Sequence, residues 1–135
     1  MTYLLDTNAI SDVVRQHPAV ERRLRAAMAS GTVVTSVVAV GELLHGIDRL
    51  APGVKQDTLR KGVGQILSAV PIEGIPATAA PEFARIKIQR QQVGRPMDHN
   101  DLWIAAHALI LGATLVTRDA DFSGIAGLSA EDWSV

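Results

Sequence analysis

The sequence predicts a three-layer α/β/α fold around a central parallel sheet of four to five short strands. Three observations lead there. Short apolar runs of β character alternate along the chain with longer stretches of helical period. Those runs are apolar almost throughout rather than every second residue, as in strands covered on both faces. No repeat, low-complexity tract or long linker interrupts the alternation, and 135 residues suit one domain spanning 1–135.

The elements follow in order. Thr2 to Leu5 reads as a buried strand ending at Asp6. Asp6-Thr7-Asn8 supplies capping chemistry for a helix to about Arg15. His17-Pro18 breaks the pattern, and Pro18 opens a helix to about Ser30, where Ser30-Gly31 ends it. Thr32 to Thr35 is the second strand. Ser36 caps a helix from Val37 to about Leu50, and Ala51-Pro52-Gly53 turns the chain. A helix from about Lys55 to Ser68 follows, weakened by Gly62 and Gly64. Ala69 to Ile72 is the third strand, and Pro76 to Val93 a helix stopped at Gly94. A last helix from about Asp98 to Leu111 ends on Gly112. Ala113 to Thr117 is the fourth strand, and a loop-like tail holds a fifth near Ile125.

Composition narrows the function. Hydrophobic residues make up 47% and charged residues 20%, a balance that needs no staple at this length. The absence of cysteine excludes disulfides, thiolate metal sites and a thiol nucleophile. No signal peptide is visible, and the longest apolar run, Val33 to Val40, is too short to span a bilayer. A cytoplasmic protein is expected. Net charge is −1, from 13 basic and 14 acidic residues, so bulk charge does not announce nucleic acid. Ten of the basic residues are Arg, which pairs bidentately with phosphate. Aromatics are 4%, too few for a base-stacking platform.

The acidic residues carry the chemistry. In parallel α/β sheets, ligands bind beyond the carboxyl ends of the strands. Asp6 ends strand one, and Asp119 lies two residues past Thr117 at the end of strand four. Glu42 sits about two turns into the helix leaving strand two. Asp101 opens the helix that feeds strand four, and the short Gly112–Thr114 link forces that helix antiparallel to the strand. All four acids therefore reach one edge. A single Asp after a strand is more often a cap than a catalyst. Glu42 and Asp101, however, adjoin apolar stretches, where a carboxylate is costly unless paired or bound to a cation. Clustered carboxylates also repel, and a divalent cation relieves both problems. An all-oxygen donor set suits Mg²⁺ or Mn²⁺ rather than zinc, and His17, His45, His99 and His107 form no zinc pattern. Such an ion binds phosphate oxygens and generates hydroxide, which points to phosphodiester hydrolysis. Asn8 and Thr117 are placed to orient the acids or a water, although Asn8 equally suits a plain helix start. Asp98, one turn before Asp101, either joins the cleft or caps the helix. Arg118 is either a phosphate contact or simply an exposed side chain.

Leu5-Asp6-Thr7-Asn8, Gly41-Glu42-Leu43, Gly94-Arg95-Pro96, the run from Asp101 to Ala108, Leu115 to Asp119, and the ending Gly127-Leu128 with Glu131-Asp132-Trp133 occur in that order. Taken together they resemble the PIN-domain toxins of the VapC family, over essentially the whole chain. The resemblance implies a PIN fold and an Mg²⁺- or Mn²⁺-dependent endoribonuclease that inhibits translation by cutting transfer RNA or another structured RNA. It implies catalytic and metal-binding roles for Asp6, Glu42, Asp101 and Asp119. It also implies a homodimer, a VapB-type antitoxin that blocks the site, and a toxin–antitoxin hetero-oligomer on operator DNA. A phospho-accepting receiver domain is the first rival; it lacks support because paired acids after strand one and a late Lys-Pro are absent. A non-catalytic PIN module that only binds RNA or a partner is the second, and the presence of all four acids speaks against it.

Overall fold

The computed structural model describes residues 1–135. Five parallel strands form one sheet: β1 (Thr2–Leu5), β2 (Thr32–Ser36), β3 (Ile72–Glu73), β4 (Thr114–Val116) and β5 (Ala130–Glu131). The helices are α1 (Thr7–Val14), α2 (Pro18–Ser30), α3 (Val37–Asp48), α4 (Val54–Leu67), α5 (Ala79–Gln92) and α6 (His99–Leu111), with a 3₁₀ helix at Ala120–Gly124. The strand order is β3-β2-β1-β4-β5. From β1 the chain winds one way to β2 and β3, then returns to the other side of β1 for β4 and β5. The order reverses between β1 and β4, and a crevice opens at such a point.

Side-chain alternation builds the layers. Leu4, Val34 and Leu115 lie in register on one face, and pack with Ile86 of α5, with Leu102 and Ile104 of α6, and with Phe122. Their neighbours Leu5, Val33 and Val116 face the other way, onto Ile10 of α1, Val20 and Leu24 of α2, and Trp133. Both faces are covered, which is why the strands read as continuous apolar runs. Each large side chain so buried contributes roughly 1.5–3 kcal/mol. No helix is long and apolar enough to cross a membrane.

The predicted caps are present. Asp6 caps α1, Ser36 caps α3 through the Val38 N–H at 3.1 Å, and Gly112 closes α6 in the left-handed region at φ 62°. Gly62 has a role beyond weakening its helix. A Cβ there would lie 2.8 Å from Val14 Cγ1, so its absence lets α4 approach α1 closely.

Two strands fall elsewhere than expected. The third begins at Ile72 rather than Ala69, because the N–H groups of Ala69 and Val70 bond back to Ile66 and finish α4. Val70 is still buried, as an anchor rather than a strand residue. The fifth is Ala130–Glu131, not the neighbourhood of Ile125. Ile125 is buried as the cap of the 3₁₀ helix, and its apolar side chain plugs the core without joining the sheet.

Candidate active site

The chain reaches the crevice with Asp6 at the end of β1. Its Oδ1 accepts the Thr7 N–H at 2.8 Å, and its Oδ2 accepts the Thr117 hydroxyl at 2.8 Å and the Asn8 amide at 3.3 Å. Asn8 Nδ2 also donates to Thr117 Oγ1 at 3.0 Å, and Asn8 Oδ1 accepts the Arg118 N–H at 3.2 Å. Thr117 Oγ1 further accepts the Asp119 N–H at 3.1 Å. A single network thus joins the ends of β1 and β4. Asn8 and Thr117 orient Asp6 and the segment that leads to Asp119. Asp6 is 5% exposed, and burial raises its carboxyl above the ordinary range against the pull of the Thr117 and Thr7 bonds.

The other acids arrive from two helices and one turn. Glu42, on α3, has a solvent-inaccessible Oε1 with no hydrogen-bond partner. Burial raises its carboxyl, followed by the charges of Asp6 and Asp98. Asp101, in the first turn of α6, is pushed up to about 7, first by burial and then by Asp6, Glu42, Asp119 and Asp98. Asp119 is exposed, caps the 3₁₀ helix, and accepts the Asp121 N–H at 2.9 Å. All four line one cleft of about 450 Å³. Asp98 occupies the cap position of α6 without making a cap bond. It does not line that cleft, although its charge reaches Glu42 and Asp101.

None of the protein's five ion pairs includes any of the four carboxylates. No ion pair offsets their repulsion, and one buried oxygen has no donor. That is the chemistry of a site for a divalent cation. No three of these side chains are arranged to enclose an ion as they stand. Mg²⁺ does not require such a cage, because it keeps several waters and binds through one or two carboxylates together with substrate phosphates. The donor set fits.

The histidines play other parts. His17 Nδ1 accepts the Val20 N–H at the start of α2, His99 lies 3.1 Å from Lys87 Nζ, and His107 is buried. Arg118 is exposed and lines the cleft. The structure adds Arg15 and Lys55, which sequence reading missed. Arg15 follows Asn8 and Ser11 at helical spacing and bonds to Ser11, so the face bearing Asn8 pointed to it. Beyond the acids the cleft continues between α1, α3 and α4 along Leu43, Ile47, Leu50, Leu59 and Val63.

A parallel sheet with its order reversed beside β1, and unpaired carboxylates at that mouth, defines a PIN-type domain; the chain belongs to the PIN domain family, whose profile matches residues 3–128. Within that family its likeness is to the VapC ribonucleases. It is 28% identical to Ribonuclease VapC2 of Rickettsia felis, over 98% of both chains. It is also 28% identical to the tRNA(fMet)-specific endonuclease VapC of Shigella flexneri, over 99% of both. Among solved structures, the Rickettsia felis VapBC2 complex, bound to a DNA fragment from its promoter, superposes with a TM-score of 0.89 at 27% identity. The match covers 98% of this chain and 99% of that one.

Proposed function

We propose that residues 1–135 act as one PIN domain, the toxin of a VapBC-type pair, and that it hydrolyses RNA phosphodiester bonds with Mg²⁺ or Mn²⁺. The observation that carries this reading is the convergence of Asp6, Glu42, Asp101 and Asp119 on one cleft, none of them in an ion pair. These four would hold the ion, Asp6 in a fixed orientation and Glu42 through its unpartnered oxygen. When bound, the ion supplies a polarised phosphate and a water of lowered pKa. The protein's own groups do the rest. Thr117, Asn8 and Thr7 fix Asp6 so that little rearrangement is needed on binding. Arg15, Lys55 and Arg118 sit on the same cleft and would draw the RNA backbone over the acids. Transfer RNA or another structured RNA is the substrate class, and the cytoplasm the place of action.

We also propose a VapB-type antitoxin as partner, a homodimeric toxin, and a toxin–antitoxin hetero-oligomer on operator DNA. The Rickettsia felis complex is of that kind. An antitoxin Arg entering the acidic end would pair with the carboxylates, and an apolar segment would cover Leu43, Ile47 and Leu59.

Purified wild type and Asp101→Asn should be incubated with total RNA in EDTA, Mg²⁺ or Mn²⁺. Cleavage is expected from wild type with either ion, and from neither protein in EDTA. A fall of about 10² or more is expected for the variant. Metal-independent cleavage, or an active Asp101→Asn protein, would overturn the reading.

A further inference from the structure

Arg90, near the end of α5, is 4% exposed and belongs to none of the ion pairs. A buried guanidinium without an anion is costly, so its position calls for a reason. Its contacts are with backbone. Nε donates to the Arg95 carbonyl at 3.0 Å, and the Arg95 N–H donates back to the Arg90 carbonyl at 2.9 Å. On its far side Nη1 lies against Gly124, where a Cβ would collide with it. Arg95 belongs to the loop that leads into α6, the helix carrying Asp101. Gly124 closes the 3₁₀ helix that Asp119 caps. One side chain therefore touches both segments that deliver a carboxylate to the cleft from this side of the sheet.

We propose that Arg90 is a positioning residue that clamps the loop ahead of α6 to the 3₁₀ helix through Arg95 and Gly124, and so sets Asp101 relative to Asp119. The Nε donor fixed to the Arg95 carbonyl holds a direction, which an apolar plug of the same volume would not. Gly124 belongs to the device, because a Cβ there would force the guanidinium out of its present place.

The activity arm of the test rests on the nuclease reading, and a second arm does not. Full-length wild type, Arg90→Met, Arg90→Lys, Gly124→Ala and the Arg90→Met/Gly124→Ala double variant are compared. Three quantities are measured: single-turnover RNA cleavage with Mn²⁺, RNA affinity, and amide hydrogen exchange. Arg90→Met is expected to slow single-turnover cleavage about tenfold or more while RNA affinity stays within about twofold. Gly124→Ala should reproduce this, the double variant should be no worse than either, and Arg90→Lys should recover part of the rate. Exchange should quicken over 94–101 and 119–124 and stay unchanged in β1. A folded Arg90→Met protein cleaving at the wild-type rate would overturn the proposal. So would exchange that quickens evenly along the chain, the mark of a purely structural role. If Arg90→Met does not fold, Gly124→Ala decides. Wild type silent with Mn²⁺ would sink the nuclease reading, and the exchange pattern would still decide for or against the clamp.

Discussion

Thr117 makes more bonds at the site than any carboxylate there except Asp6. It donates to Asp6 Oδ2 at 2.8 Å, and accepts from Asn8 at 3.0 Å and from the Asp119 N–H at 3.1 Å. Thr117→Val keeps the shape and removes all three bonds. Groups that orient a metal ligand typically matter 10–100-fold to affinity or activity. Thr117→Val should therefore weaken Mn²⁺ binding and slow cleavage by roughly tenfold or more, and cost about 1–2 kcal/mol of stability from the unmet partners. Calorimetric Mn²⁺ titration beside a urea melt checks both, and an unaltered affinity would remove Thr117 from the site. Residue types and spacing revealed much at this scale. Glu42 and Asp101 stood out as candidates because acids beside apolar stretches are anomalous, and Asp6 and Asp119 because they follow strand ends. Asn8 and Thr117 were legible as polar neighbours of strand ends. Lys55 was not, because only the packing of α4 against α1 and α3 brings it to the cleft. Arg90 was not, because an Arg in a polar helix looks like a surface residue until burial is measured.

Two glycines of α4 test how helix elements pack. Nothing lies within 4 Å of a Cβ built at Gly64, whereas one at Gly62 meets Val14 at 2.8 Å. Gly64→Ala should gain about 0.5–1 kcal/mol of stability from helix propensity alone. Gly62→Ala must offset the same gain against displacement of a stiff β-branched side chain, so it should gain nothing or lose about 1 kcal/mol. Chemical denaturation of the two variants side by side gives the difference, and equal gains would mean that α1 and α4 are not held in close contact. Periodicity and caps made every α-helix legible, with ends displaced by up to about three residues, whereas the 3₁₀ helix at Ala120–Gly124 fell in a segment read as loop. The shortest strands were harder to read. With two residues each, β3 and β5 have too little length for a pattern, and register against β2 and β4 alone creates them. Val70 and Ile125 drew the expected strands to themselves because burial, not pairing, is what their apolar character serves.

For the molecule as a whole, the acid cluster and the core pull stability in opposite directions with pH. Asp101 is pushed up to about 7 from an ordinary 3.8, chiefly by burial, so the folded state keeps a proton that the unfolded chain has released. Its contribution is complete below about 3.8 and is lost as pH rises to about 7. His107 works the other way. Burial lowers it from 6.5, with the Glu73 carboxylate at 3.7 Å opposing the shift. Its contribution is complete above 6.5 and is lost as pH falls through the lowered folded value. Below 6.5 the two slopes oppose each other, and above it only the Asp101 loss remains, so metal-free protein should weaken as pH rises from 6.5 past 7. Asp101→Asn should remove most of the alkaline loss: in EDTA at pH 8 its melting temperature should exceed that of wild type by a few degrees, about what 1 kcal/mol gives at this size. The gap should narrow at pH 5, where wild type keeps the proton. Saturating Mn²⁺ should then raise the wild-type melting temperature more at pH 8 than at pH 6, because at the lower pH binding must first displace that proton. The rise should be much smaller in Asp101→Asn. Thermal melts of both proteins at pH 5, 6 and 8, in EDTA and in Mn²⁺, read all of this. Superimposable metal-free curves for the two proteins at pH 8 would mean that Asp101 carries no such strain and that the cleft accommodates its four charges by other means.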